Sequence, residues 1–178
     1  VKYVIVGFPK CGQVSLVEYL IRQGHQAKKF DKIWHDDALR MILERYQNNE
    51  QFVVITRDPI DRMWSGWRFW HYHEHMSFEK YTHVFGTQSS VGQENPIAQS
   101  NYAYWLDIIK PLDPLLTTFE EVVKLPNFPH ENKTKFQFAM PAKIRQELEN
   151  DIVLLKFKKD FENYLNKNNF KRLHFENN

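Results

Sequence analysis

The chain carries one cysteine, Cys11, in 178 residues. A lone thiol excludes an intrachain disulfide and cannot build a thiolate metal site; it fits a reducing cytosol, so a cytoplasmic location is the expectation. No stretch reaches the about 18 consecutive apolar residues of a membrane span, and no charged-then-apolar leader is seen. Excess charge of one sign is scarce as well. A net of +2 falls short of the clustered basic face that nucleic acid requires. Neither a membrane nor a nucleic acid is therefore an expected partner, and any anion site has to be local. Repeats and low-complexity linkers are missing too, so residues 1–178 read as a single domain.

What is present is an ordinary globular composition, 42% hydrophobic and 26% charged, which argues against disorder. Aromatics reach 15%, and much of that share falls between Trp64 and Tyr104, where it either lines a site or fills a core. "KYVIVGF" ends at a glycine and is rich in β-branched residues, so residues 2–7 read as a buried strand. From Gly12 to Arg22 the spacing of Val14, Leu16, Val17, Leu20 and Ile21 predicts a helix, with Gly24 as its stop. "QAKKF" is a short second strand, and residues 37–48 place Leu39, Ile42, Leu43 and Tyr46 on one helical stripe with Asp37 at its start.

"QFVVIT" at 51–56 is the next strand, and Pro59 suits the first turn of a following helix. Beyond it come an aromatic, histidine-rich segment to Phe85, a polar loop at 86–95 and a helix from Pro96 to Ile109. "DPLLTTFEEV" reads as a fourth strand and a short helix, "LPNFPHENKTK" as a loop, and Pro141 to Leu165 as one amphipathic helix with frayed residues after it. Short apolar strands alternating with helices predict parallel β-α units, whose ligands sit beyond the carboxyl ends of the strands.

Two polar turns fall at such ends. In "VIVGFPKCGQVSL" an apolar strand breaks into Gly7-Phe8-Pro9-Lys10-Cys11-Gly12 and resumes as a helix. Unpaired N–H groups and the positive end of the helix dipole favour an anion there, and Lys10 adds a full charge. The nucleotide loop G-x-x-x-x-G-K-[ST] is not met, because Gln13 follows Gly12. In "TRDPIDRMWSG" at 56–66, Arg57 sits at the strand end and Ser65 lies almost two helical turns further, about 9 Å along the axis. A phosphate beside that helix would meet a guanidinium fork and a hydroxyl.

This pair of motifs resembles the sulfotransferases that use 3′-phosphoadenosine 5′-phosphosulfate (PAPS). Their phosphosulfate loop P-K-x-G-T-T is matched by Pro9-Lys10-Cys11-Gly12, and their R-D-P-x-x-R-x-x-S motif by Arg57-Asp58-Pro59, Arg62 and Ser65. "SFEKY", "SNYAYWLDII" and "FEEVVKLPNFPHENKTK" are weaker landmarks. The resemblance implies a three-layer P-loop-type α/β fold, with a central parallel sheet of about four or five strands flanked by helices. It implies sulfuryl transfer to a small-molecule or carbohydrate hydroxyl or amine, with adenosine 3′,5′-bisphosphate (PAP) as product and no metal.

By the same resemblance Lys10 meets the phosphosulfate, Arg57 and Ser65 hold the 3′-phosphate, and Lys133, Thr134 and Lys135 lie in a loop that either closes over the nucleotide or is a solvated polar turn. Gln13 and Val14 stand where two threonines are usual. Val14 has no hydrogen-bonding side chain, the Gln13 amide can donate, and Ser15 keeps a hydroxyl nearby. A general base is implied near the second strand, where "FDKIWHDD" offers His35 first, then Asp31, with Asp36 and Asp37 better suited to cap the next helix.

Other readings stay beside these. Arg62 is expected to pair with Asp58 inside the helix, and Cys11 to be a small turn residue. "HYHEH" at 71–75 places His71 and His75 on one face but lacks the glutamate of a zinc helix. Residues 67–100 form a candidate lid or acceptor-binding segment, in which Trp67, Phe69, Trp70 and Tyr72 either touch an acceptor or pack. The rival functions are a nucleoside or nucleotide kinase, and a module that binds nucleotide without transferring anything.

Overall fold

The structure, a computed structural model, describes residues 1–8, 10–30, 37–70, 76–86, 101–129 and 139–175. Strand β1 (Lys2–Val6) leads into helix α1 (Gln13–Arg22), then β2 (Gln26–Phe30), α2 (Ala38–Arg45) and β3 (Gln51–Thr56). Helices α3 (Pro59–Trp70), α4 (Phe78–Gly86) and α5 (Tyr102–Ile109) precede β4 (Leu115–Thr118), and α6 (Phe119–Val122), α7 (Ala142–Glu149) and α8 (Ile152–Lys167) follow. All pairings are parallel, in the order β2-β1-β3-β4.

Burial follows from that order. The inner strands β1 and β3 are covered on both faces, so Val4, Ile5, Val6, Val53 and Ile55 are sealed; each such side chain is worth about 1.5–3 kcal/mol. The edge strand β2 leaves Lys28 and Lys29 exposed, a charged rim that discourages pairing with another chain. Because β1 to β2 steps one way across the sheet and β2 to β3 the other, right-handed crossovers put α1 on one face and α2 on the opposite one. Tyr19 of α1 packs against Phe128 and Phe175, each at 5.7 Å. Phe8 meets Tyr102 of α5 at 5.3 Å, and Tyr102 meets Phe161 of α8 at 5.5 Å.

The stop of α1 follows from Gly24, whose φ of 86° lets its N–H reach the Ile21 carbonyl and the His25 N–H the Leu20 carbonyl. On α2 the inward residues are Ala38 and Ile42, while Leu43 is 60% exposed, so the stripe runs one residue away from the expected one. Asp37 makes no side-chain cap; its carboxylate accepts from Arg40 instead. The helix expected from Pro96 is described from Tyr102, with the Asn101 side chain accepting from the Tyr104 N–H.

The expected single helix from Pro141 is two helices. Asn150 ends α7, and the Asp151 carboxylate caps α8 by accepting from the Leu154 N–H at 3.0 Å. Residues 171–173 are bound rather than frayed: Leu116 of β4 donates to the Lys171 carbonyl at 2.8 Å and accepts from Leu173 at 3.0 Å. The aromatic wealth of α3 and α4 is a second core, with Trp64, Trp67, Phe78 and Tyr81 packed against Leu148 and Leu154. Trp67 donates to the Met76 carbonyl at 2.7 Å. Phe69 and Tyr104 keep 43% and 45% of their surface in solvent.

Candidate functional site

Sheet order places a switch point between β1 and β3, where the chain leaves in opposite directions; in open parallel sheets ligands bind in the crevice beyond the carboxyl ends at such a point. Three strand ends converge there. β1 runs into the Lys10 turn, β3 into Arg57, and β4, in register with β3 from Val53↔Leu115 to Thr56↔Thr118, into Phe119.

The first turn is tightly built. Gly7 lies against β3, where a Cβ would stand 2.8 Å from the Ile55 carbonyl oxygen. Lys10 has φ 64° and Gly12 φ 87°, two left-handed residues that reverse the chain and start α1 with the Leu16 N–H on the Gly12 carbonyl. Such a φ at a lysine costs about 1 kcal/mol, the kind of strain held where surrounding contacts enforce it. One of those contacts comes from the second motif: Arg57 Nη1 donates to the Lys10 carbonyl at 2.8 Å. Arg57 Nε is buried and has no hydrogen-bond partner among the described residues.

The turn after β3 is pinned from three sides. Asp58 Oδ1 accepts from the N–H groups of Ile60 and Asp61 and so starts α3, while the Asp58 N–H donates to Glu120 at 2.9 Å. Tyr102 donates its hydroxyl to the Arg57 carbonyl at 2.7 Å. Glu120 and Phe119 are themselves fixed by a capping box between Thr118 and Glu121.

Positive charge concentrates in the crevice. Burial chiefly, then Arg57 and Arg68, pull the Lys10 ammonium down to about 8. Its Nζ stands 3.9 Å above the ring of Phe69, and the Arg57 guanidinium lies 4.1 Å from the ring of Phe119. Arg68 is lowered by burial and then by Arg57. Three cations sharing a partly desolvated space favour a polyvalent anion.

The remaining sequence candidates occupy distinct places. Ser65 is buried within α3, and Arg62 is 2% exposed, 5.7 Å from the Phe8 ring. Cys11 is fully buried, its thiol pushed up by burial, with Sγ 3.9 Å from the Tyr102 hydroxyl. The Gln13 amide turns inward: its Nε2 donates to the Gly7 carbonyl at 2.8 Å and the Phe30 carbonyl at 3.4 Å. Ser15 is also buried, and Val14 is half-exposed. Pro9, Asp31, His35, Asp36, Lys133, Thr134, Lys135 and the "HYHEH" run lie outside the described residues.

Of the residues in this region, Arg68, Phe119 and Glu120 carry no sequence-level assignment, while Phe69 belongs to the aromatic set expected either to touch an acceptor or to pack. Arg68 had a usable signal, since it follows Ser65 by three residues and shares its helical face. Phe119 and Glu120 had another, since they stand at a strand's carboxyl end.

No protein-family model matches this chain, and no curated protein matches it by sequence. Among solved structures its fold is similar to that of a sulfotransferase from Alicyclobacillus acidocaldarius, with a TM-score of 0.65 and 15% identity over 93% of this chain and 94% of that one. At that identity the likeness is one of fold. Among the described residues no helix is long and apolar enough to cross a membrane.

Proposed function

We propose that this chain is a sulfotransferase that moves a sulfuryl group from PAPS to a hydroxyl or amine of a small-molecule or carbohydrate acceptor. The observation that carries the reading is the bond from Arg57 to the Lys10 carbonyl, which joins the two motifs across the switch point of a sulfotransferase-like sheet. The residues present suit a phosphosulfate nucleotide: an ammonium and a guanidinium at neighbouring strand ends, an Arg57 Nε buried without a partner among the described residues, and the N-terminus of α1. When bound, PAPS supplies the activated sulfuryl group on a phosphosulfate anhydride.

In this reading Lys10 and the N–H groups at the start of α1 hold the 5′ end and carry the charge that grows on the departing phosphate. Arg57 and Ser65 hold the 3′-phosphate, the group that distinguishes this donor from ATP. The second threonine position contributes no side-chain bond, and the Gln13 donors are directed to Gly7 and Phe30, so backbone N–H groups and Lys10 take that load. His35 or Asp31 takes the acceptor's proton, and Lys133 and Lys135 close over the nucleotide. No metal enters.

One observation favours a second reading. The inward Gln13 leaves the loop without the usual hydroxyl pair, which suits a module that binds PAP and transfers nothing. Calorimetric titration with PAP and with ATP plus magnesium, followed by donor turnover against an acceptor panel, separates the cases. PAP preferred with turnover supports the transferase, PAP preferred without turnover supports the binding module, and preference for ATP overturns both. Arg57→Ala is expected to weaken PAP about 10–100-fold while leaving adenosine 5′-monophosphate within about threefold, since a hydrogen-bonded charge pair is worth about 1.5–3 kcal/mol. Equal loss for both ligands would remove Arg57 from the 3′ site.

A further inference from the structure

The third strand end meets both phosphate motifs at once. Phe119 opens α6 directly after β4, and its half-buried ring has two neighbours that matter. One face lies 4.1 Å from the Arg57 guanidinium. The ring edge lies so close to Gly12 that a Cβ there would stand 2.6 Å from Phe119 Cδ2 and 2.9 Å from Cε2. The ring therefore occupies the space a side chain at residue 12 would need, and packs directly on the backbone of the Lys10 turn.

Its own seat is firm. The capping box fixes the start of α6, the next residue, Glu120, accepts from the Asp58 N–H at 2.9 Å, and Arg172 forms an ion pair with Glu121. A guanidinium on a long flexible stem loses rotamer freedom when it grips a phosphate. A ring that already holds the guanidinium face removes part of that loss before the ligand arrives. The Arg57 side chain is thus held in two places, by the Lys10 carbonyl at Nη1 and by the Phe119 ring across its plane.

We infer that Phe119 is a positioning residue for the 3′-phosphate, acting through Arg57 rather than by touching the phosphate itself. The inference rests on the reading of Arg57 proposed above. It also explains why residue 12 is glycine on steric grounds that add to its left-handed φ of 87°.

The test measures affinity for PAP, adenosine 3′-monophosphate and adenosine 5′-monophosphate in wild type, Phe119→Leu, Phe119→Tyr, Arg57→Ala and the Phe119→Leu/Arg57→Ala double variant, with melting curves for each. Phe119→Leu is expected to weaken PAP and the 3′-monophosphate about fivefold, equivalent to about 1 kcal/mol. The 5′-monophosphate should change less than twofold, Phe119→Tyr should bind as wild type, and the leucine change should add nothing once Arg57 is alanine. Pentafluorophenylalanine at 119 keeps the ring's shape and inverts its quadrupole, so it should reproduce the fivefold loss even if the leucine variant folds poorly.

Unchanged PAP affinity in both ring variants overturns the inference, as does an equal loss for all three ligands or an additive double variant. A wild type that binds PAP no better than the 5′-monophosphate removes the 3′ site itself, a failure visible before any variant is made.

Discussion

In the proposed function, a polyanion that binds at Lys10 is expected to draw in a proton. The ammonium sits at about 8 instead of its ordinary 10.5, held down first by burial and then by Arg57 and Arg68. Burial pushes the neighbouring Cys11 thiol and Tyr102 phenol up. A bound phosphate, dianionic above pH 7, supplies the opposite charge that returns the lysine toward 10.5. Taking those two values, binding takes up about 0.1 proton at pH 7, about 0.5 at pH 8 and about 0.9 at pH 9. The same linkage is expected to lower the affinity for PAP, if it binds as proposed, about tenfold from pH 7 to pH 9.

Titration calorimetry at pH 8 in buffers of different ionisation enthalpy reads the proton count directly. Lys10→Met should remove the uptake along with most of the pH dependence. Uptake near zero at pH 8, or uptake that survives Lys10→Met, would refute the reasoning. Stability moves with the same proton in the opposite sense from a paired lysine. Between about pH 8 and 10.5 the unfolded chain keeps a proton that the folded chain has released, so this group's contribution rises with pH across that window.

Two further predictions concern the turn itself. Gly12→Ala combines a left-handed φ with a methyl 2.6 Å from Phe119, and should cost about 2–4 kcal/mol, read as a lower urea midpoint; an unchanged midpoint would mean the ring moves aside freely. Gln13→Leu strips the buried carbonyls of Gly7 and Phe30 of their side-chain donor and should cost about 1–3 kcal/mol, with a melting temperature lower by about 2–10 °C; no drop would show that those carbonyls are satisfied without it.

Much of the scaffold could be read from the chain because its rules are local. β-branched runs announce β1 and β3, Gly24 announces the end of α1, and Pro59 the start of α3. That Lys10 and Arg57 stand in turns at strand ends was legible for a related reason, since turn chemistry at a strand's carboxyl end depends on few neighbours. What escaped depends on distant partners. The sequence shows that the Gln13 amide can donate but not to what, and one of its acceptors is Phe30, seventeen residues on in β2. Phe119 reads as one more apolar residue until β4 is placed beside β3 and brings its ring onto Arg57. The break at Asp151 was hidden because apolar residues continue through it, although Ile152 is 82% exposed.

The seam between Leu116 and residues 171–173 gives the tail a reach well beyond its own packing. It pairs with the outer side of β4, and Arg172 extends the tie to Glu121 in the capping box of α6. A protease nick between α8 and Lys171 would cut no residue of the crevice. It would still bare the outer edge of β4 as a template for another strand and loosen the helix start that aims Phe119 at Arg57. Loss of nucleotide binding and a new tendency to self-associate would then appear together, from one cut in a segment that touches neither phosphate motif.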